Sequence, residues 1–501
     1  MDPSSGRECP DAYAISSWAE IEEAVRAGYA AAATMAALSP DALADFLDDY
    51  ARGIEANAED IIRSAHAETA LPIEPRLRSV ELPQAAFQLR QAGAAARDRS
   101  WCRATIDTKA DIRSKYGPLG GPVVVFGPNN FPFACNSAAG TDFASAIAAG
   151  NPVIAKAHPG HPGTTRLFAE IAFDCLRRSS LPASAVQLIY HMRAEDGLSL
   201  VSHPLVGASA FTGSRPGGLR LKEAADKAGK PIYLEMSSIN PIFILPGALG
   251  ERSEAMAAES FGSCTLGAGQ FCTKPGLLVL PGGEAAEAFF NLLKRMFVNS
   301  PAYILLGPGV SDALTAAIGR LVAAGAELNV GGRRAEGPGF RFAATLLKVS
   351  GAGFLKNPRE LQQEAFGPLT LCVMAENAER LIEIAAAFEG NLTAALYSRS
   401  GLEDEPLAAK LGAVLRFRCG RLLNDKVPTG VAVSSAMVHG GPFPASGHPG
   451  FTAVGAPASL TRFAALHGYD HVRPHRLPPE LRNENPNGCM WRLVDGEWTK
   501  R

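Results

Sequence analysis

From Pro122 onward, short β-branched or apolar runs alternate with stretches long enough to be helices, and this alternation constrains the fold more than any other feature of the chain. The runs are Val123 to Phe126, Val153 to Ala155, Val186 to Ile189, Ala208 to Phe211 and Ile232 to Leu234. Between them, Ser137 to Ala149 and Thr164 to Arg178 have the length of crossover helices, and Gly127-Pro128, Gly150-Asn151-Pro152 and Gly213-Ser214 fall at strand ends. Strands joined through helices build a parallel sheet, whose ligands sit beyond the carboxyl ends of the strands. A second series, with Pro241 to Leu245, Leu277 to Leu280 and Ala394 to Tyr397, predicts a second α/β domain. Single cores stop growing at roughly 250 to 300 residues, so 501 residues require more than one.

Ahead of the alternation, Ile15 to Arg97 reads as Ala-rich helices broken near Leu38-Ser39-Pro40 and Leu71-Pro72. The last fifty residues hold no long apolar period and should wrap a surface or cross to another subunit. A formal net charge of -2 gives no basic field for nucleic acid or anionic lipid. No apolar run reaches the roughly 18 residues a membrane span needs, and the first residues do not read as an export signal. Nine scattered cysteines without a CxxC suit reduced thiols, so a cytoplasmic protein is expected.

Three segments can carry chemistry. Gly267 to Gly276 places Cys272 in a glycine-flanked loop, where backbone can approach a ligand closely. A free thiol titrates near about 8.5 and needs a base or a lowered pKa to attack at neutral pH; the plain alternative is a buried cysteine acting as a small hydrophobe. In Leu234-Glu235-Met236 an apolar strand stops at an acid that could take a proton from water, or could merely be a solvated loop carboxylate. In Gly127 to Phe133 the first strand runs into a turn carrying Asn129 and Asn130, and a side-chain amide there could hold an oxyanion or simply suit the turn.

Taken together and in this order, the Asn-Phe-Pro turn, the Leu-Glu strand end and the Gly-Gln-x-Cys loop resemble the aldehyde dehydrogenase superfamily. The resemblance continues through Gly150 to Lys156, Phe211 to Ser214 and Glu364 to Pro368, and spans roughly residues 15 to 470. It implies two Rossmann-like parallel-sheet domains and a small oligomerisation arm: residues 1–103 and 117–237 for the dinucleotide, 238–440 for catalysis, and 104–116 with 441–501 for the arm and C-terminal segment. It implies Cys272 as nucleophile, Asn130 and the Cys272 backbone N–H as oxyanion donors, and Glu235 as the base that activates water. Lys156, Gly213, Ser214, Glu364 and Phe366 would hold a nicotinamide cofactor, although a GxGxxG fingerprint is absent. Homodimers or homotetramers acting on a small aldehyde are expected.

Departures from the commoner pattern narrow the expectation. Asn129 replaces the usual Trp before the Asn-Phe-Pro turn, which changes the pocket wall. After Lys156 the run Ala157 to Gly163 lacks the acid that many NAD-preferring members carry, so Lys156 and His158 should favour NADP, with NAD possible. No metal is expected, because His158 and His161 have no closing Cys or His pair. With Cys272 to Gly276 and the late His439 to Ala445 stretch, these features resemble the NADP-dependent branch containing 2,5-dioxovalerate (α-ketoglutarate semialdehyde) and long-chain aldehyde dehydrogenases. A substrate carboxylate would require a cation, for which Arg215, Arg416, Arg418 and Arg421 are the candidates. The alternatives are oxidation of a medium- or long-chain aliphatic aldehyde, a non-catalytic binding protein on the same fold, a thiol hydrolase, and a CoA-acylating enzyme, which usually lacks the strand-end glutamate.

Overall fold

The computed structural model describes residues 1–501. Four helices lead in: α1 (Trp18–Ala37), α2 (Pro40–Ala56), α3 (Ala58–Thr69) and α4 (Leu82–Asp98). The Ser17 hydroxyl accepts from the Glu20 N–H, and Glu20 accepts in return from the Ser17 N–H at 2.7 Å, so two donors that a helix start leaves free are satisfied reciprocally. Ser39 caps α2 through the Ala42 N–H at 3.2 Å, ahead of a proline whose missing N–H would have been unpaired anyway. A further break falls at Asn57, whose side-chain amide donates back to the Gly53 carbonyl at 2.8 Å and ends α2. Helix-favouring residues on both sides mask it in the sequence.

After α4 come β1 (Thr105–Asp107) and β2 (Ile112–Gly117), an antiparallel pair. Five parallel strands follow: β3 (Val123–Phe126), β4 (Val153–Lys156), β5 (Val186–Ile189), β6 (Ala208–Thr212) and β7 (Ile232–Glu235). Their crossovers include α5 (Thr141–Ala148), α6 (Pro162–Leu176) and α7 (Ala194–Val201), and α8 (Arg215–Lys227) joins β6 to β7. The spatial order is β5-β4-β3-β6-β7, so the chain leaves the centre in one direction and returns to build the other. That reversal puts a crevice at the carboxyl ends of β3 and β6. Tyr50 anchors the lead-in helices here: it is fully buried, with its hydroxyl 2.8 Å from the Ala138 carbonyl and 3.0 Å from that of Phe168.

The second sheet contains β8 (Ile242–Ile244), β9 (Leu277–Pro281), β11 (Glu327–Val330), β13 (Thr345–Ser350), β14 (Leu369–Ala375), β15 (Asn391–Tyr397) and β16 (Cys419–Asn424); β10 (Tyr303–Ile304) and β12 (Arg341–Phe342) form a separate pair. The order is β11-β13-β14-β9-β8-β15-β16, parallel except at the β11 edge. Helix α9 (Pro246–Thr265) leaves β8 and delivers the Cys272 loop. The apolar runs of β8, β9 and β15 are legible in the sequence, while β13, β14 and β16 are not, because short apolar runs do not separate buried strand from buried helix by periodicity alone.

The C-terminal residues form β17 (Ala465–Asp470), β18 (Arg492–Val494) and β19 (Glu497–Thr499), which complete a sheet ordered β17-β2-β1-β18-β19. Residues 441–463 stay outside that sheet and run past the end of β7. No helix is long and apolar enough to cross a membrane.

Candidate active site

The carboxyl end of β7 presents Glu235, and its position is fixed on both sides. The Gly213 N–H donates to the Glu235 carbonyl at 3.1 Å, while Ala445 to Gly447 pair with the strand end through Met236 N–H to Ala445 O at 2.8 Å and Gly447 N–H to Leu234 O at 3.2 Å. The same C-terminal strap carries His439, held by its N–H to the Thr452 carbonyl at 2.8 Å. Gly440 and Gly441 are required next to it, since a Cβ at Gly440 would lie 2.4 Å from Thr452 and one at Gly441 would lie 2.0 Å from the Asn391 carbonyl.

Cys272 arrives on a loop in the left-handed region, with φ of 56° at Gly267, 59° at Ala268 and 66° at Gly269. At Gly269 only glycine fits, because a Cβ would fall 2.1 Å from the Gly367 carbonyl. Asn240 donates to the Cys272 carbonyl at 2.8 Å and the Lys274 carbonyl at 3.0 Å. Buried Lys274 donates to Ala365 O at 3.0 Å and Leu369 O at 2.8 Å, tying this loop to the one bearing Glu364 and Phe366. Phe271 meets Phe131 edge to face at 5.3 Å, and the Arg76 guanidinium lies over both rings while donating to Glu81 and to the Asn130 carbonyl.

These supports bring His439 Nε2 to 3.1 Å from Cys272 Sγ and 2.8 Å from Glu235 Oε1, and the three donor atoms lie within 4.8 Å of one another. Burial pushes the Cys272 thiol up, and His439 opposes that push. Burial alone would lower the His439 pKa, yet the Glu235 carboxylate and the Cys272 sulfur hold it well above the usual imidazole range. The imidazole can therefore take the thiol proton and stabilise the thiolate as an ion pair. Asn130 is buried, and one of its amide protons goes to the Gln270 carbonyl at 2.9 Å, which leaves the second for a ligand. The Cys272 N–H makes no hydrogen bond within the chain.

A cleft of about 480 Å³ opens beside this trio and is lined by Asn130, Lys156, His158, Gly213, Ser214, Glu235, Cys272, Glu364 and Phe366, so every residue singled out in the sequence for catalysis or cofactor binding reaches it. Its residues fit an anionic dinucleotide. Lys156, at the end of β4, has no acidic partner, and burial lowers its pKa to about 8, so it stays largely cationic at neutral pH. Ser214 caps α8 through the Gly217 N–H at 3.4 Å, which sets the positive end of a helix at the cleft. Burial raises the Glu364 pKa, with Ser237 and Lys274 opposing. His158 sits well below its ordinary pKa because it is buried, so it lines the cleft as a neutral ring.

Each of the four arginines considered for a substrate acid donates to a protein acceptor, although Arg421 keeps a buried Nε without a partner. Arg215 pairs with Glu389 at 2.9 Å, Arg416 donates to the Cys419 and Gly420 carbonyls, Arg418 to Ala386 O at 2.9 Å, and Arg421 to Pro428 O at 3.3 Å. His439 was not among the predicted site residues. It lies 167 residues beyond Cys272, so no local spacing announces it.

A cysteine, an acid and an amide thus gather beside a single crevice on a doubly wound fold. Residues 1–436 match the aldehyde dehydrogenase family, and the chain belongs to it. Such enzymes use a nicotinamide cofactor. The chain is 38% identical to α-ketoglutaric semialdehyde dehydrogenase 2 of Azospirillum brasilense, covering 99% of this chain and 95% of that one. It is 34% identical to the α-ketoglutaric semialdehyde dehydrogenase of Acinetobacter baylyi, covering 96% and 92%. Among solved structures, aldehyde dehydrogenase C of Pseudomonas syringae, complexed with NAD+ and octanal, superposes with a TM-score of 0.80 at 21% identity over 95% of this chain and 94% of that one.

Proposed function

We propose that this protein oxidises 2,5-dioxovalerate to 2-oxoglutarate, with NADP preferred over NAD. The observation that carries the chemistry is the double contact of His439 with Cys272 and Glu235. The substrate is supported by two nearly full-length relatives named for α-ketoglutaric semialdehyde.

In this reading His439 keeps Cys272 as a thiolate, which forms a C–S bond to the aldehyde carbon. The second Asn130 amide proton and the Cys272 N–H receive the oxyanion. A bound nicotinamide supplies the two-electron acceptor for the hydrogen on that carbon. Glu235 then takes a proton from water, the water oxygen adds to the thioester carbon, and the C–S bond breaks to release the carboxylate and return the thiolate to His439. Lys156 and the α8 end bind the cofactor's phosphates and adenosine ribose, and Glu364 and Phe366 orient its nicotinamide end. NADP preference is supported by the cleft lining, whose acids, Glu235 and Glu364, belong to the catalytic end.

We assign residues 1–103 and 117–237 to dinucleotide binding, 238–440 to catalysis, and 104–116 with 441–501 to the arm and C-terminal segment. Exposed Ile112, Leu466 and Trp498 on the arm strands support its burial in a homodimer or homotetramer. Nine free cysteines support a reducing cytoplasm.

The test is the initial rate of NADP and NAD reduction with 2,5-dioxovalerate beside octanal, with Cys272→Ser as control. Cys272-dependent NADP reduction with the dioxo acid is expected. Turnover of octanal alone would remove the substrate assignment, and faster reduction of NAD would reverse the cofactor preference.

A further inference from the structure

The Cys272 sulfur, the His439 imidazole and the Glu235 carboxylate each offer one donor atom, and no other three His, Cys, Asp or Glu side chains of the chain gather in this way. Thiolate sulfur, imidazole nitrogen and carboxylate oxygen are the donors zinc takes, at about 2.3, 2.0 to 2.1 and 2.0 to 2.2 Å. Around a tetrahedral ion those bond lengths set sulfur and nitrogen about 3.6 Å apart, and nitrogen and oxygen about 3.4 Å apart. The observed separations are 3.1 Å from Cys272 Sγ to His439 Nε2 and 2.8 Å from Nε2 to Glu235 Oε1. An ion therefore has to part each pair by only about half an ångström.

Nothing else in the chain holds these atoms. The Cys272 sulfur and the Glu235 carboxylate each have His439 as their sole hydrogen-bond or ion-pair partner, and no lysine or arginine neutralises the acid. Each residue keeps part of its surface open: Cys272 is partly exposed, and the side chains of Glu235 and His439 are 17% and 10% exposed. Cys272 and Glu235 line the cofactor cleft, while Glu235 and His439 line an adjoining second cavity that shares Phe211 and Thr212 with it. Either space can supply a water as the fourth ligand. A thiolate and a carboxylate together carry two negative charges, which a divalent cation cancels and a single imidazolium does not.

We propose that the trio is a reversible inhibitory site for zinc, bound through Cys272 Sγ, His439 Nε2 and Glu235 Oε1 with water completing the tetrahedron. On binding, the proton shared by sulfur and imidazole leaves to solvent, and the sulfur lone pair that would attack the aldehyde is held by the metal. Zinc is selected over magnesium and calcium, since those hard cations take oxygen ligands and the site offers sulfur and nitrogen. The ion exchanges and is not resident. A ligand histidine ordinarily donates from its other ring nitrogen, whereas His439 Nδ1 is buried without a partner, which weakens the site. The inhibition rests on the reading of the trio as the catalytic centre; the binding does not.

The experiment titrates Co2+, then Zn2+, into the full chain freed of metal by a chelator. A cobalt–thiolate charge-transfer band that saturates at one ion per chain and is displaced by Zn2+ is expected in wild type and absent in Cys272→Ser. His439→Asn and Glu235→Gln should each weaken Zn2+ binding at least about tenfold in equilibrium dialysis. Zn2+ should also shield Cys272 from iodoacetamide and stop NADP reduction by octanal or 2,5-dioxovalerate, with EDTA reversing both and Mg2+ doing neither. A band that persists in Cys272→Ser, Zn2+ affinity unchanged in both His439→Asn and Glu235→Gln, or inhibition that EDTA fails to reverse would overturn the proposal. Should His439→Asn unfold, as read from Tm, Glu235→Gln and Cys272→Ser decide. A wild type that shows the band and the shielding but oxidises neither aldehyde refutes the proposed function and leaves the metal site standing.

Discussion

The two cavities that meet at Glu235 are built in different ways. The cofactor cleft is large and is assembled mainly from strand ends of one sheet, β3, β4, β6 and β7, so its lining follows from the winding of consecutive βα units. The smaller cavity, of about 60 Å³, is lined by residues of α5, β6 and β7 and by the strap between His439 and Arg462, which arrives from the far end of the chain. One side therefore belongs to the fold, and the other is the part that can vary with substrate while the fold stays the same.

Several substitutions would break or sharpen this comparison. The largest effect falls where the cavities join: Cys272→Ala should lower kcat by roughly 10⁴-fold or more with any aldehyde, read as NADPH formation. Asn130→Ala should cost about a hundred- to a thousandfold in kcat by removing an oxyanion donor, with little change in cofactor KM. Glu235→Gln should slow hydrolysis by about a hundredfold and leave a burst of one NADPH per active chain before a slow phase; a full-amplitude linear trace instead would show that Glu235 is not the water base.

His439→Asn tests the strap side. Alkylation of Cys272 by iodoacetamide at neutral pH should fall by about tenfold, and the pH at which the rate rises should move up, since burial then acts on the thiol unopposed. A histidine whose folded pKa is raised contributes stability that is fully present below its unfolded value, about 6.5, and lost as pH rises through the folded value. The Tm gap between wild type and His439→Asn should accordingly narrow as pH increases. The smallest effect belongs to the cleft: Lys156→Met should raise KM for NADP by about tenfold, and raise that for NAD less.

The same contrast explains what the sequence made legible. The α/β alternation and every strand of the first sheet could be read because each rests on a local β-branched or apolar run, whereas the convergence of Cys272, Glu235 and Asn130 on one cleft followed from the three motifs taken together as a family resemblance. Lys156 and Ser214 were legible only through that resemblance; Lys156 ends β4, and Ser214 caps α8 two residues after β6. His439 entered the sequence reading only within the His439 to Ala445 stretch and not as a site residue, because it lies 167 residues beyond Cys272; the pairing of residues 445–447 with β7 brings it to the site. Asn57 was missed because its flanks favour helix on both sides.

The pairing of Ala445 to Gly447 with the end of β7 also has a consequence in time. During synthesis Cys272 emerges 167 residues before His439, so a chain cut short between them carries the thiol without the imidazole that lies 3.1 Å from it in the finished fold. Of the strands, only β17, β18 and β19 follow the strap, so the two side chains meet late in the making of the chain.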